Sequence, residues 1–206
     1  MKTDINIQSL ILRPARPDLS EGLKFAYYLD QAAEGFFRSM LGRDSEDIIA
    51  HAFLDSSHSL SFENVVFAEV DRKIVGMSST FTEKQQRTFS DEPLLLAAGK
   101  NALRLRLMQI LFAPMWRILE TIPEGDFYLQ GIAIEPELRG TGIGSLLMND
   151  IENRAKASGS TRLSLDVSAK NDGAKRLYTR LGMVESATWP RSRFLPTVFV
   201  RMSKRL

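Results

Sequence analysis

The chain is predicted to fold as an α/β domain on a mixed sheet, and three observations carry that prediction. Runs with the period-two pattern of strands alternate with runs at helical spacing along the 206 residues. One β-prone segment, Tyr128 to Ile134, leads through Glu135-Pro136 into a loop with three glycines, Gly140, Gly142 and Gly144, and then into an amphipathic helix. No repeat, low-complexity tract or linker divides the sequence, so a single domain over 1–206 is expected.

Ile7 to Leu12 is apolar-rich and stops at Arg13-Pro14, as a short strand would. Asp18 and Glu21 have capping-box spacing and open a helix through Leu19, Leu23, Ala26 and Tyr27, which Gly35 interrupts. Phe36, Phe37, Met40 and Leu41 form a second helical cluster, and Ile48, Ile49, Ala52 and Phe53 mark a third helix from Ser45. Asn64 to Val70 and Lys73 to Thr82 flank the two-residue turn Asp71-Arg72, so they read as a hairpin. Residues 83–90 are polar and read as a loop.

The stretch from about 91 to 122 starts as a helix at Asp91-Glu92-Pro93 and is interrupted by Pro114. Leu103, Leu107, Ile110 and Leu111 share one face. An apolar stripe of this kind is usually core, which favours helices packed on the sheet over a pocket wall or a homodimer surface. After the glycine loop, Ile143, Leu147, Ile151 and Ala155 lie one turn apart, with Gly159 placed to end the helix. Leu163 to Val167 reads as a strand. Ala174, Leu177, Tyr178 and Leu181 form the apolar face of another helix, stopped by Gly182. Met183 to Trp189 and Thr197 to Met202 close the chain around a Pro-bounded loop.

Composition narrows the chemistry. The absence of cysteine excludes disulfides, thiolate metal sites and a cysteine nucleophile. Two histidines, His51 and His58, argue against a histidine-rich metal centre, so no metal is expected. A net charge of +2 is too small to indicate nucleic acid. The first residues lack the apolar run of a signal peptide, and no run approaches a membrane span, so a cytoplasmic protein with no membrane partner is expected.

Strand, glycine loop and helix in that order have a chemical use. Glycines free the backbone to turn with positive φ, and the unpaired N–H groups of the first helical turn then close around an anion. Arg139 adds a cationic fork beside it. No glycine is followed by Lys at Walker spacing. A Rossmann turn is weakened by Ser145 in place of its third glycine and by four residues between strand and loop, although Asp166 stands near the distance of its ribose-binding acid.

Arg139-Gly140-Thr141-Gly142-Ile143-Gly144 fits better to Arg/Gln-x-x-Gly-x-Gly/Ala, and there the sequence resembles the GNAT family of N-acetyltransferases. Asn171 to Tyr178 followed by Leu181-Gly182-Met183 resembles the family's second cofactor segment, with Met183 in place of Phe. The resemblance covers most of the chain; its main departure is the helical insertion at about 91–122. It implies a mixed, mostly antiparallel sheet of about seven strands flanked by helices. It further implies transfer of an acetyl group from acetyl-CoA to a primary amine of a small-molecule or peptide acceptor, by direct attack. A non-catalytic CoA-binding sensor or interaction module is the alternative.

On the family pattern, backbone groups of Ile132, Ala133 and Ile134 hold pantetheine and polarise the thioester. Those of Arg139, Gly140, Thr141, Gly142, Ile143, Gly144 and Ser145 hold the pyrophosphate. Asn171 contacts pantetheine or caps its helix. Tyr178 is the implied general acid, against the alternative that it packs as core. Tyr128, Gln130 and Glu135 lie on or beside the central strand, and no general base is assigned among them. The acceptor side is expected at Tyr27, Tyr28, Glu34 and Phe37 and in the loop Trp189 to Phe194. There Arg191 and Arg193 either read an acidic acceptor or form a solvated turn.

Overall fold

A computed structural model describes residues 9–111, 121–190 and 196–206, apart from the side chains of Gln109 and Leu111. Its seven strands are β1 (Ile11–Pro14), β2 (Val65–Val70), β3 (Lys73–Thr82), β4 (Asp126–Ile134), β5 (Arg162–Ser168), β6 (Val184–Trp189) and β7 (Phe199–Arg205). They form one sheet in the order β1-β2-β3-β4-β5-β7-β6. Only β4 and β5 pair in parallel; every other neighbouring pair is antiparallel. That mixed sheet matches the expected fold and is not the parallel sheet of a Rossmann domain.

Helices cover both faces. α1 (Leu19–Ala32), α2 (Phe36–Leu41) and α3 (Ser45–Phe53) bury Phe25, Leu29, Ile49 and Phe53 with Phe67, Met77 and Ala133 of the sheet. Asp18 caps α1 through its side chain, which accepts from the N–H groups of Ser20 and Glu21. Glu21 does not complete the capping box. It accepts from Arg16 N (2.7 Å) and pairs with Arg13, which also reaches Glu69 at 2.6 Å and so ties β1 to α1 and β2. Gly22 lets α1 and α3 touch, since a Cβ there would lie 2.6 Å from Ala50 O.

On the opposite face lies α7 (Ile143–Ala157), whose predicted stripe Ile143, Leu147, Ile151 and Ala155 is at most 1% exposed. Replacing one such Leu by Ala costs about 2–5 kcal/mol, so this stripe fixes the helix on β3 to β5. α8 (Asp172–Arg180) packs at the edge of the same core through Ala174 and Tyr178, while Leu177 is exposed, contrary to expectation. The hairpin turn Asp71-Arg72 has both residues at positive φ, 49° and 64°, the backbone of a type I′ turn without its usual glycine.

Two expectations are corrected. Within 83–90, Glu83–Gln86 form a one-turn helix, α4, because Thr82 and Gln85 make a reciprocal capping box. In the insertion, α5 (Glu92–Ala98) and α6 (Ala102–Leu111) pack on α2 and α3 rather than on the sheet. Leu94 and Ala98 of α5 and Leu105 of α6 are buried, whereas Leu103, Leu107 and Ile110 are exposed at 79%, 60% and 73%. Periodicity shows that residues share a face but does not say which face is covered. The expectations on Ile7 and Gln8, Pro114 and 191–195, including Arg191 and Arg193, lie outside the described residues.

Candidate active site

The site begins where two strands part. β4 and β5 pair only from Asp126↔Arg162 to Leu129↔Leu165. Beyond that point β4 stays with β3 as far as Ile134, while β5 stays with β7 as far as Ser168. A bulge starts the divergence: Ser79 faces Gly131 and Thr80 faces Leu129, leaving Gln130 as the extra residue. Bulges bend the strand that carries them and re-aim its side chains. Gln130 is held there by Ser79 Oγ, which donates to its Oε1 at 2.8 Å.

The wedge opens into a cavity of about 510 Å³. Gly131, Ile132, Val167, Ser168 and Tyr178 line one part; Phe36, Phe37, Phe81, Phe89 and Leu94 line another. Its floor carries a polar group that sequence reading did not assemble. Tyr128 Oη donates to Asp166 Oδ2 at 3.0 Å, and Arg201 forks the same carboxylate from Nε (2.9 Å) and Nη2 (2.6 Å). Asp166 and Arg201 are directly opposed in the β5–β7 register. Each is the one ionisable residue between apolar neighbours, Leu165 and Val167 or Val200 and Met202, and that was the available signal. Burial, and then the Asp166 charge, push the Tyr128 pKa well above the phenol range, so Tyr128 is a fixed donor.

Tyr178 also faces the cavity, and its hydroxyl has no hydrogen-bond partner among the described residues. Burial pushes its pKa up to about 12, so the phenol holds its proton at neutral pH. Asn171 lines the cavity and caps α8, its Oδ1 accepting from Ala174 N at 2.9 Å. Its Nδ2 donates to Glu34 Oε1 at 2.5 Å, which joins the α1–α2 turn to the start of α8.

The glycine loop lies at the amino end of α7, beyond the end of β4. Gly140 and Gly142 have φ of 82° and 98°, and a Cβ at either would meet nothing within 4 Å, so conformation rather than crowding requires glycine. Gly142 precedes α7 with no side-chain cap, leaving the first N–H groups of the helix open. A Cβ on Gly144 would lie 3.1 Å from Ile134 Cδ1, so this glycine seats the helix against β4. Arg139, Thr141 and Ser145 are exposed, and Ile143 is buried beneath the turn. An open turn with unpaired N–H groups and a neighbouring Arg fits a pyrophosphate.

Ile132, Asn171 and Tyr178 therefore meet in one cavity, whereas Ala133, Ile134 and residues 139–145 lead away from it along β4 to the loop. Glu34 and Phe37 line the cavity, but Tyr27 and Tyr28 do not. Tyr28 is fully buried, with its hydroxyl 2.9 Å from Glu135 Oε1 and 3.1 Å from Ile74 O. Glu135 is thereby engaged away from the cavity. His51 and His58 pack locally, and no cluster of metal-ligating side chains occurs among the described residues.

A parallel pair of strands splays apart, a proton-holding phenol lies in the wedge, and an uncapped helix start follows the end of β4. The model of the Acetyltransferase (GNAT) family matches residues 25–183, and the chain belongs to that family of acyltransferase enzymes. A putative [ribosomal protein bS18]-alanine N-acetyltransferase of Bacillus subtilis is 32% identical over 72 residues, 35% of this chain. The match spans 44% of that relative's length, under half of it. An N-acetyltransferase structure from Staphylococcus aureus superposes with a TM-score of 0.63 at 18% identity, covering 94% of this chain and 100% of the other. The ribosomal-protein-S18-alanine N-acetyltransferase of Escherichia coli superposes at 0.54 and 16% identity, covering 95% and 93%. At these identities the structural likeness speaks for the fold.

Proposed function

We propose that this enzyme transfers an acetyl group from acetyl-CoA to a primary amine by direct attack of the amine on the thioester. The reading rests above all on the β4–β5 wedge: Tyr178, its hydroxyl unpartnered among the described residues, faces the cavity there, and β4 continues from the cavity toward the loop that opens α7.

In this reading the N–H groups of Gly140 and of Gly142 to Ser145 bind the pyrophosphate, with the Arg139 side chain beside them, while the N–H groups of Arg139 and Thr141 donate to Pro136 O (3.3 Å) and Leu138 O (3.4 Å). Backbone groups of Ile132, Ala133 and Ile134, on the side of β4 that β5 has left, hold the pantetheine arm and polarise the thioester oxygen. Asn171 positions the start of α8 and borders the arm. Holding both reactants in line makes the step effectively unimolecular. The amine nitrogen bonds to the carbonyl carbon, the C–S bond breaks, and Tyr178 gives its proton to the departing thiolate. The nitrogen's surplus proton leaves to solvent, and solvent reprotonates Tyr178. The products are an acetylated amine and CoA with a free thiol. The acceptor is a small-molecule or peptide amine.

Thermal unfolding with and without acetyl-CoA tests the donor. At 100 times the dissociation constant the ligand should add about 2.7 kcal/mol. A shift with NAD and none with acetyl-CoA would overturn the assignment.

A further inference from the structure

The cavity has both a sign and a texture. Its lining includes the carboxylates of Glu34, Asp91 and Asp166 and no lysine or arginine among the described residues. Asp166 is offset by the Arg201 fork behind it. Glu34 is different. It is exposed in the turn between α1 and α2 at φ 53°, the left-handed position that ends α1, where Gly35 N donates to Asp30 O at 2.8 Å. Asn171, itself anchored by Ala174 N, holds its Oε1 at 2.5 Å, and its Oε2 has no partner among the described residues. The rings of Phe36, Phe37, Phe81 and Phe89 line the same cavity.

An ammonium group in such a place gains a charge-assisted hydrogen bond from the carboxylate and attraction from nearby ring faces. A carboxylate next to the acceptor amine would instead meet like charge, and no described lining residue is a cation that could offset it. We infer that the acceptor is a cationic amine with an aromatic or branched apolar body and no carboxylate beside the amine, and that Glu34 reads its charge. This rests on the acetyl-transfer reading above. The ammonium form docks, gives one proton to solvent, and reacts as the neutral amine.

Phenethylamine and phenylalanine share a body and differ by one carboxylate, which makes them the test pair. Thiol release at saturating acetyl-CoA gives kcat/KM for each, in the wild type and in Glu34→Gln and Glu34→Lys. Thermal shifts with acetyl-CoA run in parallel, and should be the same in all three proteins. The wild type should prefer phenethylamine at least about tenfold, the lower end of what a hydrogen bond to a charged group is worth. Glu34→Gln should raise KM for phenethylamine about tenfold with little change in kcat, the mark of lost uniform binding. Glu34→Lys should invert the preference, which loss of packing alone would not do. Equal use of the two amines by the wild type, an unchanged ratio in Glu34→Lys, or better use of an alanyl peptide than of phenethylamine would overturn the inference. A thermal shift with acetyl-CoA but no turnover of either amine overturns it and leaves the donor assignment standing. No shift at all removes both.

Discussion

Tyr128 and Asp166 join β4 to β5 just where the strands part, the Tyr128 hydroxyl donating to Asp166 Oδ2 at 3.0 Å. Neither residue pairs with the other in the strand register, in which Tyr128 faces Ser164 and Leu129 faces Leu165. The bond therefore spans the opening wedge and sets where it begins. Arg201 holds the same carboxylate and reaches Thr121 O with Nη1 at 2.5 Å, so the link extends to the chain entering β4.

Removing different members of this group should have unequal costs. Arg201→Met leaves a nearly fully buried Asp166 carboxylate without its counter-charge and should destabilise the protein by about 3–5 kcal/mol. Tyr128→Phe leaves that ion pair in place and should cost only about 1–2 kcal/mol, the loss of one buried hydrogen bond to a charged group. Urea unfolding midpoints measure both.

His58 should make stability fall in mild acid. It is 2% exposed, its Nε2 lies 2.6 Å from Ala52 O, and its Nδ1 accepts from Leu60 N at 3.3 Å. That geometry needs the neutral ring, and burial lowers the pKa below its usual 6.5. A folded pKa below the unfolded one means that stability is full above about 6.5 and is lost as pH falls toward the folded value. The urea midpoint should drop between about pH 8 and pH 5, and drop less in His58→Gln.

The tyrosines should act at the other end of the scale. Burial raises the pKa of Tyr28, Tyr128 and Tyr178, the last to about 12. A raised folded pKa gives stability that is full below the unfolded value of about 10 and is lost as pH rises through the folded one. Unfolding midpoints should decline above about pH 10, with a shallower decline in Tyr178→Phe.

Two glycines should separate ligand binding from packing. Gly142→Ala forces a side chain into φ 98° at the start of α7, at about 1–2 kcal/mol, and should weaken acetyl-CoA binding at least about tenfold as the turn reshapes. Gly22→Ala drives a Cβ to 2.6 Å from Ala50 O and should cost about 1–3 kcal/mol while leaving acetyl-CoA affinity unchanged. Calorimetric titration and thermal unfolding give the two readouts.

What the sequence made legible was local. The buried face of α7, its glycine boundaries and the Asp71-Arg72 hairpin follow from short-range periodicity and turn chemistry. α4 escaped because one turn held by Thr82 and Gln85 has no apolar period to detect. The Leu103, Leu107 and Ile110 stripe was read as buried because spacing carries no information on what covers a face. In the site, the glycine loop and the Asn171 to Tyr178 segment were visible as contiguous motifs. The Asp166–Arg201 pair was not, since it forms only when β5 and β7 align in register across 35 residues of chain. The Glu34–Asn171 contact, 137 residues apart, depends likewise on tertiary placement.

Thiol release by Tyr178→Phe measures the proposed proton donation to the leaving thiolate most directly. The chain has no cysteine, so a thiol reagent reports only CoA. With acetyl-CoA and phenethylamine or an alanyl peptide, the wild type should release thiol continuously. The variant should bind acetyl-CoA as well as the wild type and lose roughly 10²-fold or more in kcat, the scale of a positioned general acid. Equal turnover by the two proteins would contradict the assignment.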